Sequence, residues 1–203
     1  TRRPASSCSV SYCLGSIGDG RVNAYFAHSL PARPIEEWEP LEMHLHAVAK
    51  LAAEFAAKFG AADWGRVAGL WHDLGKYSAE FQARLRPPDG FEAHIETKPG
   101  RVDHSTAGGA HAAKIYSKRG FAFGDLIAYC IVGHHAGLAD RVAYQGQSGL
   151  DCRLKRAIPD WSAAPHELLE PVELSVPPLT FHKEQAQAVF QLSLFTRMLF
   201  SCL

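Results

Sequence analysis

His72 and Asp73 stand side by side at the end of an apolar stretch and are followed by Leu74-Gly75-Lys76. An imidazole and a carboxylate together suit Mn, Fe, Co or Ni, and a carboxylate with two oxygens can bridge two such ions. An adjacent His-Asp pair is weak by itself, but other histidines sit at helix positions on either side of it. His44 lies in His44-Leu45-His46-Ala47-Val48-Ala49, His104 in Asp103-His104-Ser105-Thr106, and His134-His135 before a glycine turn. Eleven histidines in 203 residues exceed what packing alone asks for. The six candidates for metal ligation are therefore His44, His72, Asp73, His104, His134 and His135. Lys76, beyond the pair, could hold a substrate phosphate or stabilise developing negative charge, the bland alternative being an exposed lysine at a helix end. The phosphate-loop pattern GxxxxGK[ST], the G-x-S-x-G elbow and the dinucleotide glycine fingerprint are all missing. The set points to metal-activated water attacking phosphorus, with Asp73 and Lys76 as the catalytic candidates, rather than to a side-chain nucleophile.

Helices must position these groups. Apolar residues at three- and four-residue steps predict a helix over 41–59, closed by Gly60. His44 would share its inward face with Val48, Leu51 and Phe55, whereas His46 points about 200° away and is expected to be exposed. A second helix is expected from Asp63, as N-cap, to Leu74, with Gly75 as its stop. A third should run from Ser78 to Leu85, closed by Pro87-Pro88, before a loop over 86–102. Asp103 should open the next helix to about Ser117 and aim His104 inward from its N-terminus. His111, two turns on, is too far along to join His104 and reads as structural. Further helices are expected over 124–135, a short one over 148–157, and a last one over 180–203. No hairpin signal and no internal repeat is visible, so the fold class is all-α, a compact helical bundle with a metal site in its core.

Composition narrows the rest. At 203 residues the chain is one domain able to bury a core, and 47% hydrophobic with 21% charged residues is ordinary for a globular protein. Lys+Arg and Asp+Glu are 21 each, so no overall field attracts nucleic acid, and metal with local cations must do so. Cysteines at 8, 13, 130, 152 and 202 form no C-x-x-C pair and read as reduced thiols, Cys130 as a core residue; a cytoplasmic location follows. There is no membrane-spanning run and no signal-peptide core. Residues 1–21 lack periodicity and are expected to be disordered or a non-native leader. Val22 is then an alternative initiator, and 22–203 the folded domain. The last helix ends uncapped and still apolar, which predicts a domain truncated at its C-terminus.

The ordered series Ala27-His28-Ser29, His44-Leu45 with Val48-Ala49, His72-Asp73-Leu74-Gly75-Lys76, Phe81-Gln82, Asp103-His104-Ser105-Thr106-Ala107-Gly108 and Gly133-His134-His135 resembles the HD nuclease domain of the CRISPR-associated type I helicase–nuclease, a branch of the HD phosphohydrolase superfamily. The resemblance covers residues 24–203. It implies a helical HD domain that holds one or two divalent transition-metal ions (Mn, Fe, Co or Ni, or else Mg) and cuts single-stranded DNA in antiviral defence, as an endonuclease or an exonuclease. It also implies a helicase domain or subunit beside it and recruitment by an RNA-guided surveillance complex. Carried over, His44, His72 and Asp73 would serve one ion, Asp73, His104, His134 and His135 the other, and Lys76 would sit near the scissile phosphate. The family has a further metal-binding aspartate just past the stretch matching Phe200-Ser201-Cys202-Leu203. This chain ends before it, so the His44/His72 side is expected to be one ligand short. No helicase motif is present, so ATP-driven unwinding is not expected of these residues. Arg84, Arg86, Lys98, Arg101 and Lys118 are candidates for a strand-binding groove, each equally readable as a solvated charge. Two rival readings stay open: an HD phosphohydrolase acting on nucleotides or cyclic dinucleotides, and a non-catalytic docking module.

Overall fold

The computed structural model describes residues 25–30, 32–86, 102–117, 123–146 and 148–203. The leader, Val22, Pro87-Pro88, most of the 86–102 loop, and the groove candidates Lys98, Arg101 and Lys118 lie outside these residues. Within them the chain is a helical bundle of eight α-helices with one small strand pair. Strand β1 (Phe26–His28) pairs antiparallel with β2 (Glu39–Pro40) across an irregular register, a feature too short to leave an alternating pattern in the sequence. Helix α1 (Leu41–Ala56) follows directly, then a 3₁₀ turn (Ala57–Phe59) that ends at Gly60, with φ of 75°. Helix α2 (Ala62–Trp71) packs against α1 more extensively than any other pair of elements.

That packing corrects two expectations. The inward face of α1 is Leu41, Leu45, Ala49, Ala52 and Ala56, whereas Leu51 and Phe55 are about half exposed. The cause is close approach: a Cβ on Gly69 of α2 would lie 2.7 Å from Ala49 Cα, and one on Gly65 would strike the Ala52 carbonyl. Small residues therefore face the partner helix, the large apolar ones are turned outward, and His44 sits at the flank of the buried stripe. The N-cap of α2 is Ala61 rather than Asp63, whose carboxylate instead accepts the Ser175 backbone N–H.

Helix α2 also stops at Trp71, three residues before its expected end. His72 is its C-cap, Asp73 has φ of −117°, and Leu74–Tyr77 form a 3₁₀ turn. Helix α3 (Ala79–Leu85) is capped by Ser78, whose hydroxyl accepts the Phe81 N–H at 3.3 Å. Helix α4 (Ser105–Ile115) begins two residues after Asp103, which still caps it, accepting from Thr106 N at 2.9 Å and from Thr106 Oγ1 at 2.7 Å. Helix α5 (Phe123–Gly133) packs on α4 and on α2.

After α5 the chain is mostly irregular, with the single-turn helices α6 (Leu150–Arg153) and α7 (His166–Leu169). Aromatic side chains of the bundle pin this segment by its carbonyls. Trp71 Nε1 donates to Leu168 O at 2.7 Å, Trp64 Nε1 to Ser175 O at 3.1 Å, and Tyr116 OH to Val172 O at 2.8 Å. Each such bond contributes about 1 kcal/mol and would cost more if a buried partner were orphaned. His111 joins the same clasp, 3.1 Å from Leu169 O and edge-on to Trp71, so it is structural. Helix α8 (Gln185–Phe200) starts five residues later than expected. It buries Phe195 and Leu199 but leaves Val189, Phe190, Leu194 and Met198 exposed. Cys130 is a fully buried free thiol, its pKa pushed up by burial.

Candidate metal centre

Two close contacts bring the end of α2 and the start of α4 together. The Gly75 N–H donates to the His104 carbonyl at 3.1 Å, and a Cβ at Gly75 would collide with His104. A Cβ at Gly108 would overlap the Trp71 carbonyl oxygen. These glycines let α4 cross the His-Asp turn at backbone contact, which carries His104 to Asp73.

The structure gathers the other five candidate ligands around Asp73, whose two oxygens face different partners. Oδ2 is 3.0 Å from His72 Nε2, 3.5 Å from His44 Nε2 and 2.8 Å from Lys76 Nζ. Oδ1 is 3.4 Å from His134 Nε2 and 3.5 Å from His104 Nε2. His135 completes the second group, its ring centroid 4.0 Å from that of His134 in a tilted contact and 4.9 Å from that of His104 edge-on. Donor atoms of His44, His72 and Asp73, and of Asp73, His104, His134 and His135, lie within 4.8 Å of one another in each set. Asp73, His72 and His104 are buried, His44 and His134 half-buried, and His135 exposed, so the cluster opens on the His135 side.

The rings are preset. His72 Nδ1 is 2.7 Å from the Gly69 carbonyl, His134 Nδ1 2.6 Å from that of Ile131, and His104 Nδ1 3.3 Å from that of Val102. A carbonyl can only accept, so each Nδ1 carries the proton and each Nε2 offers a lone pair inward. His44 uses a carboxylate instead, with Nδ1 3.2 Å from Glu39 Oε2. Four lone pairs thus converge on an anion, an arrangement with no hydrogen between its acceptors. Asp73 Oδ1, His104 Nε2 and His134 Nε2 are buried with no hydrogen-bond partner. Such orphans are costly unless a cation lies among them, and imidazole with carboxylate is the donor set of a divalent transition metal.

Electrostatics agree. Burial pushes the Asp73 carboxyl upward, but His72 (once its ring takes up a second proton) and the ammonium of Lys76, with His134 and His44 when they too are protonated, outweigh it, holding the group well below the usual carboxylate range. Burial drives His104 down to about 4, against the pull of Asp73, so the ring is neutral at pH 7.

Lys76 is not an exposed helix-end lysine: it is 2% exposed and donates to Asp73 Oδ2 and, at 3.1 Å, to the Ala27 carbonyl. Gln82 ties the neighbouring strand residue to the Lys76 backbone, accepting from Phe26 N (3.1 Å) and donating to Phe26 O (2.9 Å) and Lys76 O (2.8 Å). Sequence reasoning missed Glu39 and the role of Gln82, because a carboxylate on a two-residue strand and a lone buried glutamine have no periodic signature. His28 also approaches, its ring 5.0 Å from that of His44, and with Glu39 and His44 forms a third, shallower set of donors. Of the groove candidates, Arg86 lies over the Phe26 ring at 5.1 Å. No helix among the described residues is long and apolar enough to cross a membrane.

Comparison with protein families matches residues 27–200 to the family described as Cas3, HD domain. No individual curated protein matches the chain.

Proposed function

The chain belongs to the Cas3 HD-domain family, the metal-dependent nucleases of CRISPR-associated systems, and from that premise we propose that it hydrolyses phosphodiester bonds of single-stranded DNA with His44, His72, Asp73, His104, His134 and His135 as its metal ligands. The observation that supports this most is the division of Asp73, one oxygen to the His44/His72 side and the other to the His104/His134 side. When bound, divalent ions of the Mn, Fe, Co or Ni type supply neutralisation of phosphate oxygens and acidification of water.

The chain's own residues then have separate tasks. The three carbonyl-held rings and the Glu39-held ring turn Nε2 toward Asp73. Asp73 stays ionised and serves both sides. Lys76, enclosed and turned onto Oδ2, acts through Asp73 by holding that oxygen and balancing its charge. The open His135 edge admits the strand. In this role the domain works in the cytoplasm beside a helicase domain or subunit, brought to its target by an RNA-guided surveillance complex.

The test is cleavage of circular single-stranded DNA by chelated protein to which Mn, Fe(II), Co, Ni or Mg is returned, beside an Asp73→Ala control and a panel of free nucleotides. Nicking that needs both metal and Asp73 supports the reading. Protein that binds metal yet cuts no DNA, or prefers free nucleotides, overturns it.

A further inference from the structure

A cavity of about 280 Å³ opens beside the exposed edge of the cluster, with His104 and His135 in one wall and Ser105, at the start of α4, next to them. Its lining also includes Ser148, Arg153 and Arg156. The two guanidiniums converge on one hydroxyl: Arg153 Nε donates to Ser148 Oγ at 3.4 Å and an Arg156 terminal nitrogen donates at 2.9 Å. Arg153 is further anchored to the Val132 carbonyl at 3.3 Å. Among the described residues neither arginine forms an ion pair with a carboxylate. Asp103 also lines the cavity, but both its oxygens are occupied by Thr106 in capping α4.

Two cations held side by side on a neutral hydroxyl repel one another, and an anion placed between them relieves that repulsion. Guanidinium forks match phosphate oxygens in geometry as well as charge. Because the same cavity is walled by His104 and His135, an anion seated on the arginines lies next to a phosphate held at the cluster. We propose that Arg153 and Arg156 form a subsite for a backbone phosphate flanking the one hydrolysed, and so seat the DNA strand. This rests on the nuclease reading above and names the groups that recognise the polymer rather than a single diester. It adds a strand contact in the segment after α5 to the groove candidates read from the sequence.

The experiment compares wild-type chain with the Arg153→Gln/Arg156→Gln pair on two substrates, single-stranded oligothymidylate and bis(p-nitrophenyl) phosphate, which has no flanking phosphate to seat. The expected result is a selective loss: KM for oligothymidylate rises at least tenfold more than KM for the small diester, with metal content equal in the two proteins. Oligothymidylate binding without divalent metal, followed by fluorescence anisotropy, should lose salt dependence, the log–log slope falling by about 0.7 for the one phosphate contact. Arg156→Gln alone, at an exposed position, should move both readouts in the same direction, and the double Lys variant should restore the slope. Equal losses on both substrates, or an unchanged slope, overturn the subsite. If neither substrate is hydrolysed the nuclease reading fails, and anisotropy still decides whether the arginines bind the strand.

Discussion

Glu39 Oε2 stands 3.2 Å from Nδ1 of His44, while the other nitrogen of the same ring faces Asp73 Oδ2 at 3.5 Å. The carboxylate fixes the tautomer and raises the basicity of Nε2, the usual outer partner of a metal-bound histidine. Replacing Glu39 by Ala should weaken metal binding on the His44/His72 side by about tenfold and leave the His104/His134/His135 side unchanged. Glu39→Gln, which keeps an acceptor but loses the charge, should fall between. Calorimetric titration with Mn or Co separates the two sides; equal weakening of both would refute the assignment.

Lys76 and Asp73 are a buried pair at 2.8 Å, both nearly inaccessible. Lys76→Met strands a desolvated carboxylate and should cost about 3 kcal/mol in urea unfolding of the metal-free protein. Added metal should recover part of that loss by replacing the missing positive charge. A variant as stable as wild type without metal would show that the ammonium is dispensable.

Acid should destabilise the metal-free protein before any carboxylate titrates. His104 has a folded pKa of about 4 against an ordinary 6.5, so between those values the unfolded chain takes up a proton that the folded chain refuses. Its contribution is complete above pH 6.5 and declines toward pH 4, by roughly 3 kcal/mol at most. His28 and His111, also lowered by burial, act in the same direction. The depressed Asp73 adds its own loss only as pH falls below the ordinary carboxylate value of 3.8. Urea midpoints from pH 7.5 to 4.5 in chelator should fall steadily, and His104→Gln should flatten the slope.

Gly108→Ala forces a methyl into the Trp71 carbonyl, which backbone cannot yield without moving α4 off α2. A loss of about 3 kcal/mol is expected, with weaker metal binding on the His104 side. Gly109→Ala meets only a methyl of Val132 at its closest point and should be milder. Thermal melts of the two variants give the comparison.

The helical class and the six metal-ligand candidates could be read from the chain because helices impose a 3.6-residue period and metals demand a short list of side chains. His111 was correctly set apart on distance along its helix. The inward face of α1 was misread, since hydrophobicity ranks Leu51 and Phe55 above Ala49 and Ala52, whereas a close helix crossing admits only the small ones. Lys76 could be read from the sequence as a catalytic cation or as an exposed lysine at a helix end; the turn at Gly75 and the strand at Ala27 enclose it. Arg153 and Arg156 were two cations among many until the 139–158 segment folded them onto Ser148 beside His135.

The sequence by itself determined which chemical groups are present and which helices carry them, because residue type and local periodicity are properties of neighbouring positions. Only the tertiary structure decided that Asp73 splits its oxygens between two sets of imidazoles and that Glu39 orients one of those rings. It also decided that a pair of arginines walls the open edge. Hydrogen bonds act over about 3 Å of space, and Asp73 meets His44, His104 and His134 at 3.4–3.5 Å from positions far apart along the chain.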